Sequence, residues 1–226
     1  MNRNNSLIAI ITLLITLFFT ISIETQAQPV CPAIKERIDF SVKVLPKQVN
    51  YILNAKQNQL NQLAGKRLKQ RSYQRVLGLT STKQLVSAQM RGETKQISPA
   101  SFCTRITSVG IKIKVLKLDV YVLGKYPRGS CQYAAIIDHE HEHVATYQHG
   151  LRELEREFNN KLWNVIRNLR PGIGSSPKTS SNAAFRNMKK EITAIQSPIE
   201  QKMKFRDRQI DTPHSYKVLT QQCAAW

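Results

Sequence analysis

An apolar stripe with helical period runs through the middle of the chain and constrains its fold more than any other feature. From Ile137 to Leu169, the stripe's residues recur at steps of three and four positions. Pro171 then ends the stripe, because a proline cannot continue an α-helix. The spacing predicts one long helix, from about Gln132 almost to Pro171, that buries one face along its whole length.

A strong strand signal precedes this stripe between Arg105 and Val122. Apolar residues alternate with Lys112 and Lys114, and the alternation reverses its phase at Val115–Leu116. Because alternate residues of a strand point to opposite faces, the reversal predicts a bulge, or a hairpin without a clear turn residue. A shorter alternation over Phe40, Val42 and Val44 indicates a second strand.

The remaining segments are less regular. A helix opened by Pro46 and extending to Ala64 is expected, followed by a polar, loop-rich segment with short strands over residues 66–99. Glycine, serine and proline dominate residues 171–183 and predict a linker or mobile loop, and a last helix is expected over 184–208. The predicted class is α+β, with a small antiparallel or mixed sheet packed on the long helix and on additional helices.

The N-terminal segment reads as a secretory signal. An apolar run over 7–23 is followed by Thr25-Gln26-Ala27, which predicts a signal peptide over 1–27 with cleavage before Gln28. Residues 28–226 then form a single mature domain without a transmembrane span, exported to the periplasm or secreted. The mature chain holds four cysteines, Cys31, Cys103, Cys131 and Cys223, which predict two disulfides with three pairings open.

The charge of the chain is strongly positive. The formal net charge is +19, and the basic residues are spread along the sequence. Such an excess attracts anionic partners without sequence specificity, including an anionic component of a cell envelope. Because no recognition helix, aromatic RNA-binding strand or zinc-finger spacing is present, a specific nucleic-acid partner is not expected.

A metal-binding pattern lies inside the long predicted helix. His139-Glu140-His141-Glu142-His143 reads H-E-x-x-H. Residues four apart share one face of a helix, so the imidazoles of His139 and His143 can close on one Zn²⁺ ion. Glu140 then stands beside the metal, where it can act as general base on a bound water. His143 and Glu140 fall on or beside the inward stripe, whereas His141 points to the side opposite His139.

The third zinc ligand is not fixed by the sequence. Among the residues that return after the linker, His214 is the preferred candidate, because it is the only histidine outside the cluster and is held in a turn after Thr212-Pro213. His149 lies ten residues after His139 and points away from it on an unbroken helix. The open alternatives from the C-terminal region are Glu191, Glu200, Asp207 and Asp211. Tyr147 and Tyr216 are candidate donors to an oxyanion.

These residues resemble the zincin metallopeptidases, in which a strand edge lies beside an H-E-x-x-H helix. The chain is especially similar to an uncharacterised bacterial family of predicted secreted Zn-dependent proteases. The matching stretches are Gly129-Ser130-Cys131, His139 to His143, and Thr212-Pro213-His214, and the likeness covers roughly residues 100 to 216. It implies a zincin-like fold, zinc bound by His139 and His143, and Glu140 as the base.

Two hypotheses about function follow from these patterns. The first is an exported zinc-dependent metallopeptidase that hydrolyses peptide or protein substrates with a zinc-activated water and Glu140. The second is a non-catalytic envelope protein, in which the histidines bind metal passively or the positive charge holds a polyanion.

Overall fold

The computed structural model describes residue 31, residues 38–65 and residues 76–226 of the chain. The predicted signal peptide over 1–27 and its cleavage position lie outside the described residues. Within the described part, the contacts group Cys31–Trp226 into one compact unit. The elements in chain order are β1 (Asp39–Leu45), β2 (Asn50–Ala55), α1 (Gln57–Ala64), β3 (Gly78–Ser98), β4 (Ser101–Leu123), α2 (Cys131–Asn168), β5 (Gly172–Gly174), α3 (Pro177–Ile210) and α4 (Pro213–Gln221).

Strand β4 is the centre of one five-stranded mixed sheet. It pairs antiparallel with β3 and β5, and parallel with β1 and β2. The expected combination of a sheet with a long helix and further helices is confirmed. Of the two sheet types left open, the antiparallel one is wrong, because β1 and β2 both reach β4 in the parallel direction.

The phase reversal in β4 is a β-bulge. Lys83 of β3 pairs with Lys117, but the next residue, Gln84, pairs with Val115, so Leu116 is an extra residue in β4. On either side of the bulge, Val115 and Leu118 are both buried. The prediction of a bulge is therefore confirmed, and the alternative of a hairpin at this point is wrong.

The long helix and α3 pack on the inner face of the sheet. Helix α2 covers 38 residues and begins at the N-cap Ser130, whose side chain accepts a hydrogen bond from the backbone N–H of Tyr133. One apolar cluster joins the inward residues of β4 to those of both helices. The largest buried side chains of this cluster are Phe158, Leu60, Ile111, Ile113, Leu118, Ile136, Leu154, Leu162 and Met188.

Two predictions for the first half of the chain are wrong. The expected helix over 46–64 is divided into strand β2 and the shorter helix α1, because Asn50 to Ile52 pair with β4. The expected loop-rich segment is largely strand β3, which has 21 residues. Its inward residues Val86, Ala88 and Met90 are only partly buried, and Ala88 is small. Apolar and polar residues therefore alternate only weakly along β3.

The predicted mobile linker over 171–183 is also wrong. Gly172–Gly174 form strand β5, and helix α3 begins at Pro177, with Ser176 as N-cap in a capping box with Thr179. A Cβ atom at Gly172 would lie 2.0 Å from the carbonyl oxygen of Ser180. Here glycine lets a strand lie directly against the first turns of a helix, and it does not mark flexibility.

The four cysteines form two disulfides. Cys31 is bonded to Cys103, and Cys131 is bonded to Cys223. The prediction of two disulfides is confirmed, and the bonds support an oxidising, extracellular environment. Among the described residues, none of the helices combines the length and apolar character that crossing a membrane requires.

Candidate metal centre

The H-E-x-x-H residues lie on the inward face of α2, one turn apart. His139, Glu140 and His143 are 9%, 3% and 7% exposed. The two imidazole rings meet edge to face, with 5.2 Å between their centroids. His141 is exposed on the other side of the helix, where its Nε2 atom lies 2.9 Å from the hydroxyl of Tyr51. His139 and His143 therefore face the interior, and His141 lies on the other side of α2.

The end of α3 brings two carboxylates to this face of α2. Asp207 lies in the last turn of α3, and Asp211 is its C-cap residue. The helix cannot continue past Asp211, because Thr212 is the N-cap of α4 and Pro213 follows it as the first helical residue. The side chain of Thr212 accepts a hydrogen bond from the backbone N–H of Ser215 and fixes this corner.

One oxygen of Asp211 lies within reach of both histidines. Its Oδ1 atom is 3.4 Å from Nε2 of His139 and 3.2 Å from Nε2 of His143. One ligand atom from each of the three side chains lies within 4.8 Å of the others. Two ligands bonded to Zn²⁺ at about 2.0–2.1 Å and separated by a tetrahedral angle lie about 3.3–3.4 Å apart. The spacing and the donor types therefore fit a divalent cation.

His143 is held by acidic groups at both ring nitrogens. Its Nδ1–H donates to Oδ1 of Asp207 at 2.7 Å, and its Nε2 faces Asp211. Burial lowers the pKa of His143, but Asp207, Asp211 and the charge of Glu140 outweigh it and raise the pKa to about 10. A carboxylate on the remote nitrogen is the usual support of a metal-binding histidine, because it fixes the ring and its tautomer.

Glu140 is buried between α2 and the start of β3. The hydroxyl of Thr80 donates to its Oε2 atom at 2.7 Å. Gly78 leaves the space that the carboxylate occupies, since a Cβ atom at this position would lie 2.6 Å from Oε1 of Glu140. Burial raises the pKa of Glu140, although the neighbouring histidines and Thr80 oppose this effect. Such a carboxylate is a stronger base than an exposed one.

Tyr216 of α4 and a cavity complete the surroundings. The hydroxyl of Tyr216 donates to Oδ1 of Asp211 at 3.2 Å, and its ring lies 5.3 Å from that of His139. A cavity of about 430 Å³ opens beside His143 between β3, α2 and α3. Its lining includes Leu79, Gln84, Tyr147 and Met203. Of the two candidate oxyanion donors, Tyr147 therefore lines the cavity, and Tyr216 donates a hydrogen bond to Asp211.

The structure places His214 apart from His139 and His143. This residue is exposed in the first turn of α4 and lies outside the group formed by His139, His143 and Asp211. The corner at Thr212–Pro213 turns the chain between Asp211 and His214, so Asp211 faces the two histidines of α2 while His214 is exposed. His214 therefore gives way to Asp211 as the third member of the group.

The other candidates for the third ligand are dispersed. His149 is exposed and lies 3.0 Å from Nη1 of Arg206. Glu191 is exposed, and Glu200 accepts a hydrogen bond from Gln84 at 3.2 Å. Asp207 contacts the site through Nδ1 of His143.

Sequence reasoning missed Thr80 and Gly78 and ranked Asp211 too low. The signal for Asp211 was present in the chain, since Asp207 and Asp211 repeat the spacing of His139 and His143 before a helix-ending Thr-Pro pair. Comparisons of this chain with protein-family models, with curated proteins and with solved structures give no match.

Proposed function

We propose that the protein is an exported, zinc-dependent metallopeptidase of the zincin type. In this proposal His139, His143 and Asp211 hold the metal, and Glu140 is the general base. The observation that carries the proposal is the position of Asp211 Oδ1, 3.4 and 3.2 Å from the two imidazole nitrogens, beside a buried glutamate.

The donor set supports zinc as the metal. Catalytic zinc commonly takes three protein ligands of the histidine and carboxylate type and keeps one position for water. Two histidines and one carboxylate also bind ferrous iron in oxygenases. Glu140 supports hydrolysis over oxidation, because a buried base next to the ligands is the group that a zinc-bound water requires.

The side chains of the site have distinct roles in this reaction. Zn²⁺ held by His139, His143 and Asp211 would supply a water with a pKa of about 7 and would polarise the scissile carbonyl. Glu140, with its raised pKa, would accept the proton of that water and pass it to the leaving amine. Thr80 holds one carboxylate oxygen of Glu140 in place. Asp207 orients His143, and Tyr216 orients Asp211.

The surroundings of the site support a peptide substrate. Among the described strands, β3 pairs only with β4, so its other edge has no strand partner. Leu79 to Gln84 of β3 line the cavity beside His143. An extended peptide can add to such an edge through main-chain hydrogen bonds, while one of its side chains enters the cavity. The two disulfides and the N-terminal apolar run support export.

A comparison of Glu140→Gln with wild type tests this proposal. Both proteins are purified with zinc and incubated with a mixed peptide library, and new termini are counted by mass spectrometry. We expect both to hold one zinc ion, and we expect Glu140→Gln to cleave at least about 100-fold more slowly. Glu142→Gln is the matched control, since Glu142 is exposed on the other side of the same helix turn, and it should cleave like wild type.

The alternative hypothesis predicts a different result. If the protein is a non-catalytic metal-binding or polyanion-binding envelope protein, wild type and Glu140→Gln both retain zinc and neither releases peptide fragments. That outcome would exclude the peptidase while leaving the metal site intact.

A further inference from the structure

Three lysines lie close together on the outer face of the sheet. Lys43 of β1 lies directly opposite Lys112 of β4, and Lys114 follows on the same face two residues later. All three side chains are exposed, while Ile111 and Ile113, which alternate with Lys112 and Lys114, are buried in the core. Within the described residues, these three lysines form no ion pair.

Two leucines flank Lys114 on the same face. Leu45 of β1 and Leu85 of β3 are its partners on the two neighbouring strands. Their exposed fractions are 44% and 50%, among the largest for apolar residues of the described chain. We call Lys43, Leu45, Leu85, Lys112 and Lys114 the lysine–leucine patch.

This arrangement is unfavourable for an isolated sheet. Like charges directly opposite each other on neighbouring strands destabilise the pairing. Exposed leucines on both sides of a lysine add apolar surface to water without any packing gain. Both costs disappear if the face lies against a surface that offers negative charge above an apolar layer.

We propose that the lysine–leucine patch docks the protein on the surface of an anionic lipid bilayer. The lysines contact the lipid headgroups, and Leu45 and Leu85 enter the boundary between headgroups and acyl chains. A nucleic acid or an acidic polymer would neutralise the lysines, but it would leave both leucines in water. The patch lies on the outer face of the sheet, so docking does not require any residue of the metal centre, and the proposal does not depend on enzymatic activity.

Vesicle sedimentation of the mature chain tests the proposal. The vesicles contain either equal parts of phosphatidylglycerol and phosphatidylcholine, or phosphatidylcholine alone. We expect wild type to bind the anionic vesicles and not the neutral ones, with binding that weakens as salt is added. Each lysine near a negative membrane contributes about fivefold in affinity, so Lys43→Gln/Lys112→Gln/Lys114→Gln should bind at least tenfold more weakly.

Matched variants separate the patch from overall charge. Lys178→Gln/Lys189→Gln/Lys190→Gln removes three exposed lysines from α3, and it should bind within about twofold of wild type. Leu45→Ser/Leu85→Ser keeps the charge and should bind severalfold more weakly. Thermal unfolding of each variant confirms that it is folded.

Two outcomes would overturn the proposal. Equal weakening by the α3 variant would show that net charge alone attracts the protein to lipid. Unchanged vesicle binding by the leucine variant, together with full displacement of vesicles by a short DNA duplex, would identify the face as a general polyanion surface.

Discussion

Nδ1 of His143 lies 2.7 Å from Oδ1 of Asp207, so the last turn of α3 holds the ring of a histidine on α2. The ring's other nitrogen, Nε2, faces the candidate metal position. Asp207 therefore supports the site without joining the group of three candidate ligands. This contact is the clearest sign that α3, and not only the H-E-x-x-H helix, builds the centre.

Replacement of Asp207 tests this support. We expect Asp207→Asn to lower the affinity for Zn²⁺ by about 10–100-fold, because a neutral amide holds the tautomer and the orientation of His143 less well. Competition with a zinc chelator measures the affinity. Lys204→Gln, an exposed change one turn earlier on α3, is the control. An unchanged affinity in Asp207→Asn would show that the contact is only structural.

The glycine beneath Glu140 gives a second prediction. In Gly78→Ala, the new Cβ atom would lie 2.6 Å from both Glu140 Oε1 and Ile136 Cγ2, so the glutamate must move. We expect kcat/KM for a cleaved peptide to fall at least about tenfold, since small misplacements of a catalytic group are costly. Zinc content should stay the same.

Gly110→Ala is the control for this change. Gly110 also lies in a strand, but a Cβ atom there would meet its nearest atom at an ordinary 3.5 Å. If Gly78→Ala cleaves peptides as fast as Gly110→Ala, the position of Glu140 does not matter for the reaction.

The disulfide between Cys131 and Cys223 links the two halves of the site. It joins the first residue of α2 to the segment that follows α4, and α4 carries Tyr216. We expect Cys131→Ser/Cys223→Ser to lose about 2–5 kcal/mol of unfolding free energy and also to bind zinc more weakly. Cys31→Ser/Cys103→Ser should lose stability but keep its zinc affinity. Equal zinc affinities in the two variants would contradict this role.

Glu153 gives a prediction about pH. Its buried carboxylate pairs with Lys202 and Arg206 of α3, and the hydrogen bond from Lys202, with the nearby charges, lowers the pKa of Glu153. A lowered pKa in the folded state contributes stability above the ordinary value of about 4.3, and this contribution is lost as the pH falls through the folded-state value.

Denaturant unfolding at two pH values checks this contribution. Glu153→Gln should be less stable than wild type at pH 7, and the difference should shrink below about pH 4. Glu155→Gln, at a half-buried position of α2, controls for the loss of one charge. A difference that stays constant with pH would contradict the assignment.

The parts of the fold with strong periodicity were predictable from the sequence. The stripe from Ile137 to Leu169 gave the extent of α2 within a few residues, and the reversal at Val115–Leu116 gave the bulge. In both places, one side of the element is buried along its length, so apolar residues recur in the sequence with the period of that element. Strand β3 was missed because its two faces differ little in polarity.

The third member of the metal group was not predictable, because it depends on how two distant elements meet. Glycines and serines over 171–183 suggested a mobile linker, but they form β5 and the start of α3. Without the full length of α3, the position of its last turn against α2 could not be derived. The side-chain type favours His214, whereas the chain direction at Thr212–Pro213 brings Asp211 to the two histidines.

Zinc binding by wild type and two single variants tests the central claim most directly. Wild type, Asp211→Ala and His214→Ala are dialysed against the same low concentration of Zn²⁺, and bound metal is measured by mass spectrometry. We predict one zinc ion per chain in wild type and in His214→Ala, and a loss of affinity of more than about 100-fold in Asp211→Ala. Full zinc in Asp211→Ala, or its loss in His214→Ala, would contradict the centre described above.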